Sequence, residues 1–326
     1  MKILVTGSSG HLGEALVRSL RDMKHEVIGL DIKTSAFTSE EGSVDDAGCV
    51  RECMRGVQIV YHTATLHKPH VATHSMQQFI DTNVSGTLTL LQAAKANDVK
   101  AFIFTSTTSV FGDALRPPVG TPAAWVTEDV KPIPKNIYGV TKMAAEDLCL
   151  LFQRQQGLNC IILRTSRFFP EEDDDKLKRE KYTGDNAKAN EYLFRRVELE
   201  DVVSAHIAAA DRAGELGFGR YIISATTPFL PEDLRGLNIN ASAVVRKRVP
   251  GYAEIYDRLG WLMFDRIDRV YVNEAARRDL HWKPKYDFNH ILESLKTGEY
   301  PKSRISRSVG SKGYHDQVFK EGPYPV

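Results

Sequence analysis

The chain has 326 residues, enough for one large or two modest domains, and its 42% hydrophobic and 26% charged residues are an ordinary balance for a globular protein. A formal net charge of +1 argues against nucleic acid as the main partner, and no apolar run approaches the ~20 residues that a membrane helix requires. Met1 to Val5 runs straight into a strand pattern with no charged-then-apolar leader, and Cys49, Cys53, Cys149 and Cys160 contain no C-x-x-C pair. These features predict a cytoplasmic protein with buried free thiols.

Lys2 to Val5 is a short apolar run that fits a buried strand, and Glu14 to Met23 carries Ala15, Leu16, Val17 and Leu20 at helical spacing. Between them lies Thr6-Gly7-Ser8-Ser9-Gly10-His11-Leu12-Gly13. Gly7 permits a tight turn, Gly10 lets the backbone approach a diphosphate, and Gly13 lets helix and strand pack closely. The helix start adds free N–H groups and a positive dipole end. Glu26 to Asp31 reads as a second strand ending in an acid, at the spacing of a partner for a ribose 2′-hydroxyl. A carboxylate there accepts hydrogen bonds from a ribose diol and repels a 2′-phosphate. Ser8 and Ser9 offer no cation to such a phosphate, so NAD is favoured over NADP, with Lys33 the residue able to compensate.

Val57 to His62 is the next strand, Met76 to Ala96 a long helix and Lys100 to Ser106 another strand. Gly112 to Pro134 is rich in Pro and Gly and is expected as an ordered loop over the site. A second long helix spans Tyr138 to Gln155, followed by a strand from Leu158 to Arg164. Glu171 to Lys181 is a charge block, acidic then basic, expected as a solvated loop. Asp201 to Ala213 (helix) and Arg220 to Ser224 (strand) return to the core, and residues 301–326 are a polar tail of no assigned role. Alternation of this kind predicts an α/β fold: a Rossmann-type doubly wound parallel sheet with a smaller C-terminal substrate-binding region. The expected division is residues 1–165 as the NAD-binding core, with 200–225 returning to it, and 166–199 with 226–300 as the substrate-binding region.

Tyr138 and Lys142 stand four apart at the start of a helix and share one face. A carbon that exchanges hydride with a nicotinamide must also exchange a proton at its oxygen. A free phenol, with a pKa near ~10, is a poor base at neutral pH, and a neighbouring ammonium lowers that value. Lys142 is placed to do so and to hold the nicotinamide ribose. Thr105-Ser106-Thr107-Thr108-Ser109 supplies hydroxyls at a strand end, one of which orients the substrate oxygen toward Tyr138.

With these motifs in order, the chain resembles the extended short-chain dehydrogenase/reductase superfamily, the NAD-dependent epimerase/dehydratase group, over most of Met1 to Leu295. Tyr61-His62-Thr63-Ala64-Thr65 resembles the segment that lines the cofactor after the third core strand. Asn83-Val84-Ser85-Gly86-Thr87 resembles the helix motif with a structural Asn. Gly42-Ser43-Val44-Asp45-Asp46 resembles the adenine-contacting turn, with Ser43 for the usual Asp. Arg278-Asp279-Leu280-His281-Trp282-Lys283-Pro284 resembles the C-terminal R-x-L-G-W-x-P signature, with His281 for Gly. The resemblance implies Thr107, Tyr138 and Lys142 as the catalytic set. It implies cofactor contacts from Gly7, Gly10, His11, Leu12, Gly13, Asp31, Val44, Thr63, Ala64, Thr65, Asn83, Thr105, Tyr138 and Lys142. It also implies a homodimer through the helices beginning near Gln77 and Tyr138.

The substrate is less sharply marked. The Asp-Glu pair of sugar-nucleotide dehydratases is replaced by Thr108-Ser109, which removes the carboxylates needed for elimination. Arg167 stands where epimerase-like members place an Asn, and the stretch from there to Asp201 is short. A small carbohydrate-like substrate is therefore expected: a free sugar, sugar acid or hydroxy acid held by His67, Thr107, Thr108 and Arg167. Arg167 either clamps an anion or pairs with Glu171 or Glu172. His67, His70 and His74 have spacing that suits a metal, but Pro69 interrupts any helix between the first two, and no metal is expected. Trp125 and Phe111 are candidates for the pocket wall or the core. The alternatives are a nucleotide-sugar 4-epimerase that retains NAD and a non-catalytic dinucleotide sensor.

Overall fold

The computed structural model describes residues 1–118, 120–173, 175–299, 301–313, 315 and 319. Its main sheet contains β1 (Lys2–Thr6), β2 (Glu26–Asp31), β3 (Glu40–Glu41), β4 (Ile59–His62), β5 (Ala101–Thr107), β7 (Cys160–Thr165) and β8 (Phe218–Ile223). The seven strands are parallel, in the order β3-β2-β1-β4-β5-β7-β8. Within the Gly112–Pro134 loop, β6 (Ala124–Val126) pairs with β9 (Arg269–Tyr271) in a separate two-stranded sheet. The chain winds outward from β1 in both directions, which is the Rossmann-type arrangement.

Side-chain alternation along the strands explains the two layers of helices. Ile3, Val5, Ala101, Ile103, Ile161 and Leu163 face one core cluster, shared with α1 (His11–Asp22) and α8 (Leu199–Leu216). Leu4, Phe102, Phe104, Cys160 and Ile162 face the other, shared with α2 (Ala47–Cys53), α4 (Gly86–Ala96) and α5 (Ile137–Gln156). Strands buried on both faces read as continuous apolar runs, as they do in this sequence.

The long helix expected over Met76–Ala96 is interrupted. It comprises α3 (Met76–Ile80), one π-helical turn (Asp81–Ser85) and α4. The π turn carries Asn83, whose side chain accepts from the Leu66 amide (2.8 Å) and donates to the Leu66 carbonyl (3.1 Å) and the Thr141 hydroxyl (3.0 Å). A wider turn at this point ties the helix to the segment after β4 and to α5.

The Glu171–Lys181 block is not a solvated loop. Its second half forms α6 (Lys176–Lys181), capped by Asp175, and Asp173 is buried among arginines. After it come α7 (Gly184–Glu191), α9 (Leu234–Leu237), α10 (Ala241–Arg248), α11 (Tyr252–Leu259), α12 (Glu274–Asp279) and α13 (Phe288–Lys296). Residues of α7, α10, α11 and α13 share a core of their own, into which Trp125 packs. The first part of the tail is also ordered. In α14 (Arg304–Val309), Val309 and Ile305 join the α1/α8 cluster, and Ser303 Oγ donates to Glu198 at 2.6 Å. Tyr314 and residues 316–318, 320–326 lie outside the described residues.

Candidate functional site

Parallel strands deliver their C-terminal ends to one edge of the sheet, and the loops leaving β1, β2, β4, β5 and β7 line one cleft there. Its volume is about 1580 Å³, larger than the roughly 300–1,000 Å³ of a single-ligand pocket. It sits where the strand order reverses, the usual place for a ligand in such sheets.

One end is a backbone cradle. Gly7 has φ +70, and a Cβ there would lie 2.8 Å from the Ala64 amide nitrogen. A Cβ on Gly13 would lie 1.9 Å from the Gly7 carbonyl, so only glycine lets α1 start this close to β1. A Cβ on Gly10 would meet only that carbonyl, at 3.3 Å, and otherwise occupy open cleft. The cradle therefore admits a diphosphate against the first-turn amides of α1. Asp31 ends β2 at the cleft. Its two oxygens accept from the Ser9 and Lys33 amides, both at 2.9 Å, and each retains a lone pair for a ribose hydroxyl. Gly10, His11, Leu12, Gly13, Val44, Thr63, Ala64, Thr65 and Thr105 also line the cleft. These residues fit a dinucleotide. Asn83 does not line the cleft: it is buried behind Thr65 and Leu66, so its assignment as a cofactor contact is corrected to a brace for the residues in front of it.

Deeper in the cleft stand Thr107, Thr108 and Tyr138. Asn136 caps α5 by accepting from the Gly139 amide (3.0 Å), which fixes the first turn and with it Tyr138. Burial pushes the Tyr138 phenol up to about 12, and a hydrogen bond with Thr107 pulls the other way. The expectation that Lys142 lowers this value is not met in the protein alone. Lys142 is 2% exposed, lies 4.0 Å over the Phe104 ring and does not line the cleft. Burial brings it down to about 7, against the opposing charge of Glu146. Its charge acts instead on His62 and His67, disfavouring their protonation. His67 also lines the cleft, its ring centroid 6.2 Å from that of Tyr138. Burial holds it neutral, down to about 3, helped by His70 and Lys142.

Beneath Lys142 lies a constellation that the sequence reading missed. Glu146 is fully buried and accepts from Arg164 Nη2 (2.7 Å), Arg164 Nε (3.0 Å) and Ser106 Oγ (2.6 Å). The Arg164 guanidinium also lies 5.1 Å over Phe111, so Phe111 belongs to the core rather than the cleft wall. The Lys142-x-x-x-Glu146 spacing was the available signal, a repeat of the four-residue step from Tyr138.

At the far end, Arg167 lines the cleft with its guanidinium engaged by Asp173 (3.0 Å) and the Glu172 carbonyl (2.9 Å). Pairing within the loop thus prevails, through Asp173 rather than Glu171 or Glu172 side chains. Arg195 joins Asp173 (2.9 Å) to Glu191 (2.5 Å), and Arg196 holds the second Glu191 oxygen (2.8 Å). Lys68, Arg116, Lys135 and Arg269 line the cleft as well. Desolvation and then the charges of Arg116 and Lys68 lower the Lys135 pKa. His67, His70 and His74 pack in a row, His67–His70 tilted with centroids 5.9 Å apart and His70–His74 edge to face at 5.0 Å. Among the described residues, no group of three or more His, Cys, Asp or Glu side chains could hold a metal ion.

Comparison with known proteins follows the same outline. The chain is 29% identical over 188 residues to an uncharacterized UDP-glucose epimerase, YtcB, of Bacillus subtilis; the match covers 50% of this chain and 55% of that one. It spans about half of that relative's length. A UDP-glucose 4-epimerase of Mycolicibacterium smegmatis is 27% identical over 316 residues, covering 87% of this chain and 94% of the relative. A short-chain dehydrogenase/reductase superfamily protein from Agrobacterium tumefaciens, crystallised with NAD, superposes with a TM-score of 0.63 at 23% identity over 94% of this chain and 99% of its own, which attests the fold. The NAD dependent epimerase/dehydratase family matches residues 3–216, which run from β1 through the glycine cradle and the Tyr138/Lys142 helix to the end of α8. A match of that extent settles the classification: the chain belongs to the NAD dependent epimerase/dehydratase family.

Proposed function

We propose that this protein is an NAD-dependent oxidoreductase or epimerase that moves a hydride at a secondary alcohol or ketone carbon of a sugar. The observation that carries this reading is a single cleft with a glycine cradle and Asp31 at one end and Tyr138 with Thr107 in its floor. NAD, when bound, supplies the hydride acceptor or donor and, in its oxidised form, a positive charge that favours a phenolate beside it. The residues of the chain do the rest. Thr107 orients the substrate oxygen. Tyr138 takes the hydroxyl proton as the carbon is oxidised and returns it as the ketone is reduced. Lys142, poised near neutrality behind Tyr138 and His67, adds its charge from behind the cleft floor when protonated. His67, as a neutral imidazole, donates to or accepts from a sugar hydroxyl. Residues 166–199 and 226–300 form the substrate region, and residues 1–165 with 200–225 the NAD-binding core.

Two features bear on the substrate. Of the cations that line the cleft, Lys68, Arg116 and Lys135 suit an anionic sugar, whereas Arg269 is held by Asp268. Arg167 is already engaged by Asp173, so it is a poor lone clamp for a small acid. The nucleotide-sugar 4-epimerase reading gains from the second point and from the likeness to a UDP-glucose 4-epimerase of Mycolicibacterium smegmatis. Both readings meet one experiment. Turnover is followed as NADH absorbance on sugars, sugar acids and hydroxy acids, and UDP and UDP-sugars are titrated by calorimetry. Net NADH formation with a small acid and no heat with UDP supports the first substrate. Heat with UDP-sugar and 4-epimer formation without net NADH supports the second. No binding of NAD and no turnover of either class removes the proposal.

We infer a homodimer from α3 and α5, where Met76 (71%), Ile80 (40%), Val140 (50%) and Leu151 (43%) are exposed apolar residues. Val140 and Leu151 lie on one face of α5. Leu151→Glu is expected to convert a dimer to a monomer in light scattering. We place the protein in the cytoplasm. The four cysteines are unbridged, and no described helix is long and apolar enough to cross a membrane.

A further inference from the structure

Past α14 the chain leaves the α1/α8 core and runs to the cleft, where Lys312, Gly313 and His315 become part of its lining. The attachments at its two ends differ. On the α1 side, one oxygen of Glu171 collects the segment. Glu171 Oε1 accepts from Ser311 Oγ at 2.8 Å and from the Lys312 and Gly313 amides, both at 3.3 Å. The same oxygen lies 2.9 Å from His11 Nε2, in the glycine cradle itself. The Lys312 ammonium pairs with Glu14, a buried acid in the first turn of α1. At the segment after β4, His315 Nε2 donates to the Pro69 carbonyl at 3.0 Å, and its ring packs against His70 with centroids 5.3 Å apart. Pro69 and His70 belong to the segment after β4 that also carries His67.

We propose that Ser311–Gly313 and His315 form a strap across the dinucleotide site, pinned at one end by Glu171 and Glu14 and at the other by Pro69 and His70, which must be released before the dinucleotide can exchange. Three observations converge on it. The anchors come from two loops, after β4 and after β7, and from the start of α1, all lining one cleft. The strap begins from a helix fixed in the core, so its base does not wander. Glu171 keeps a second oxygen, Oε2, buried without a hydrogen-bond partner. Such an orphaned acceptor is costly unless a donor reaches it. A donor brought by a bound dinucleotide would relieve that cost and tighten the clasp. Glu171 is fit for the role because burial, which raises a carboxyl, is outweighed by His11 and Ser311, and the group is held down to about 2.

The test uses the full-length protein with Glu171→Gln, Lys312→Ala and His315→Ala, singly and together. NADH is bound, and its release into excess NAD is followed by fluorescence in a stopped-flow instrument. The strap predicts release at least tenfold faster in the triple variant, with association also faster. Glu171 is largely buried, so if Glu171→Gln fails to fold, the Lys312→Ala/His315→Ala pair carries the test with a gain of several-fold. Release within twofold of the parent in every folded variant overturns the proposal. Tighter NADH binding in the variants also overturns it, because the segment would then be a plug in the site rather than a strap over it. A parent protein that binds no NADH counts against both the strap and the proposed function, whereas a parent that binds NADH and ignores the variants counts against the strap alone.

Discussion

The dinucleotide end of the cleft is made largely of backbone, whereas the opposite end is made of charged side chains that hold one another. At the first, Gly7, Gly10 and Gly13 set the distance between chain and ligand, and Asp31 is placed by the end of β2. At the second, Arg167, Asp173, Glu191, Arg195 and Arg196 come from two separate stretches and are ordered mainly by their mutual pairing. A backbone site tolerates little change in shape and much change in surrounding charge. A site of paired charges behaves in the opposite way. It can be retuned by single substitutions, but each unpaired partner is left buried.

The sharpest way to break this comparison is at Arg195, which bridges Asp173 and Glu191. Arg195→Ala leaves two buried carboxylates short of a cation and is expected to cost about 3–5 kcal/mol by chemical denaturation. A loss under 1 kcal/mol would mean that the far end is held by packing rather than charge.

Acid probes the other half. His62 and His206 are fully buried, His62 between Thr6 (2.8 Å) and Thr87 (3.0 Å), His206 against Thr105 (2.8 Å). Burial lowers both, His206 to about 4 and His62 well below its ordinary value. Below pH ~6.5 the unfolded chain therefore takes up protons that the folded protein refuses, and stability falls with pH. Asp201 opposes this. Its carboxyl is raised by burial to about 6, so the folded state gains protons before the unfolded one as pH drops. At pH 5.0 these two histidines and His67, which burial holds down to about 3, sit ~1.5 pH units below their unfolded value, and Asp201 sits ~1 unit below its folded value. At about 1.4 kcal/mol per unit, the cofactor-free protein is expected to be less stable at pH 5.0 than at 7.5 by roughly 4–5 kcal/mol. Equal denaturation midpoints at the two values would contradict it.

Asp31→Ala sharpens the comparison at the backbone end. Losing charge-assisted bonds to a ribose diol is worth about 1.5–3 kcal/mol, so NAD affinity should fall by roughly 10- to 100-fold. NADP should lose less, although the Ser9 amide also loses its acceptor. Equal losses for the two dinucleotides, measured by calorimetry, would remove Asp31 as the discriminating group. The smallest effect is expected far from either end. His281 holds φ +53, a conformation that suits glycine. His281→Gly should stabilise the protein by about 0.5–1 kcal/mol in thermal unfolding; a destabilised variant would show that the imidazole makes contacts outweighing the strain.

The same contrast explains what was legible in the sequence. The sheet, its flanking helices and the glycine cradle follow from local patterns, since apolar alternation and a strand-turn-helix step are written within a few residues of each other. Tyr138 and Lys142 are legible because a helix brings fixed spacings to one face. Asn83 was placed in the right motif but one layer too near the ligand, because a motif gives the turn and not the direction in which an amide side chain points. Asp173 was missed because a charge block reads as solvated until cations from elsewhere bury it. The strap at Lys312 was missed for a related reason: its partners Glu14 and Glu171 lie more than 100 residues away along the chain, and no periodicity records such a contact.

The most direct test of the central claim is Tyr138→Phe, which removes one oxygen from the cleft floor and little else. NAD should bind to the variant with unchanged affinity, while turnover on the substrate found in the screen should fall by about 10²–10⁴-fold. Turnover within threefold of the parent would contradict a proton-transfer role for Tyr138 and the account built on it.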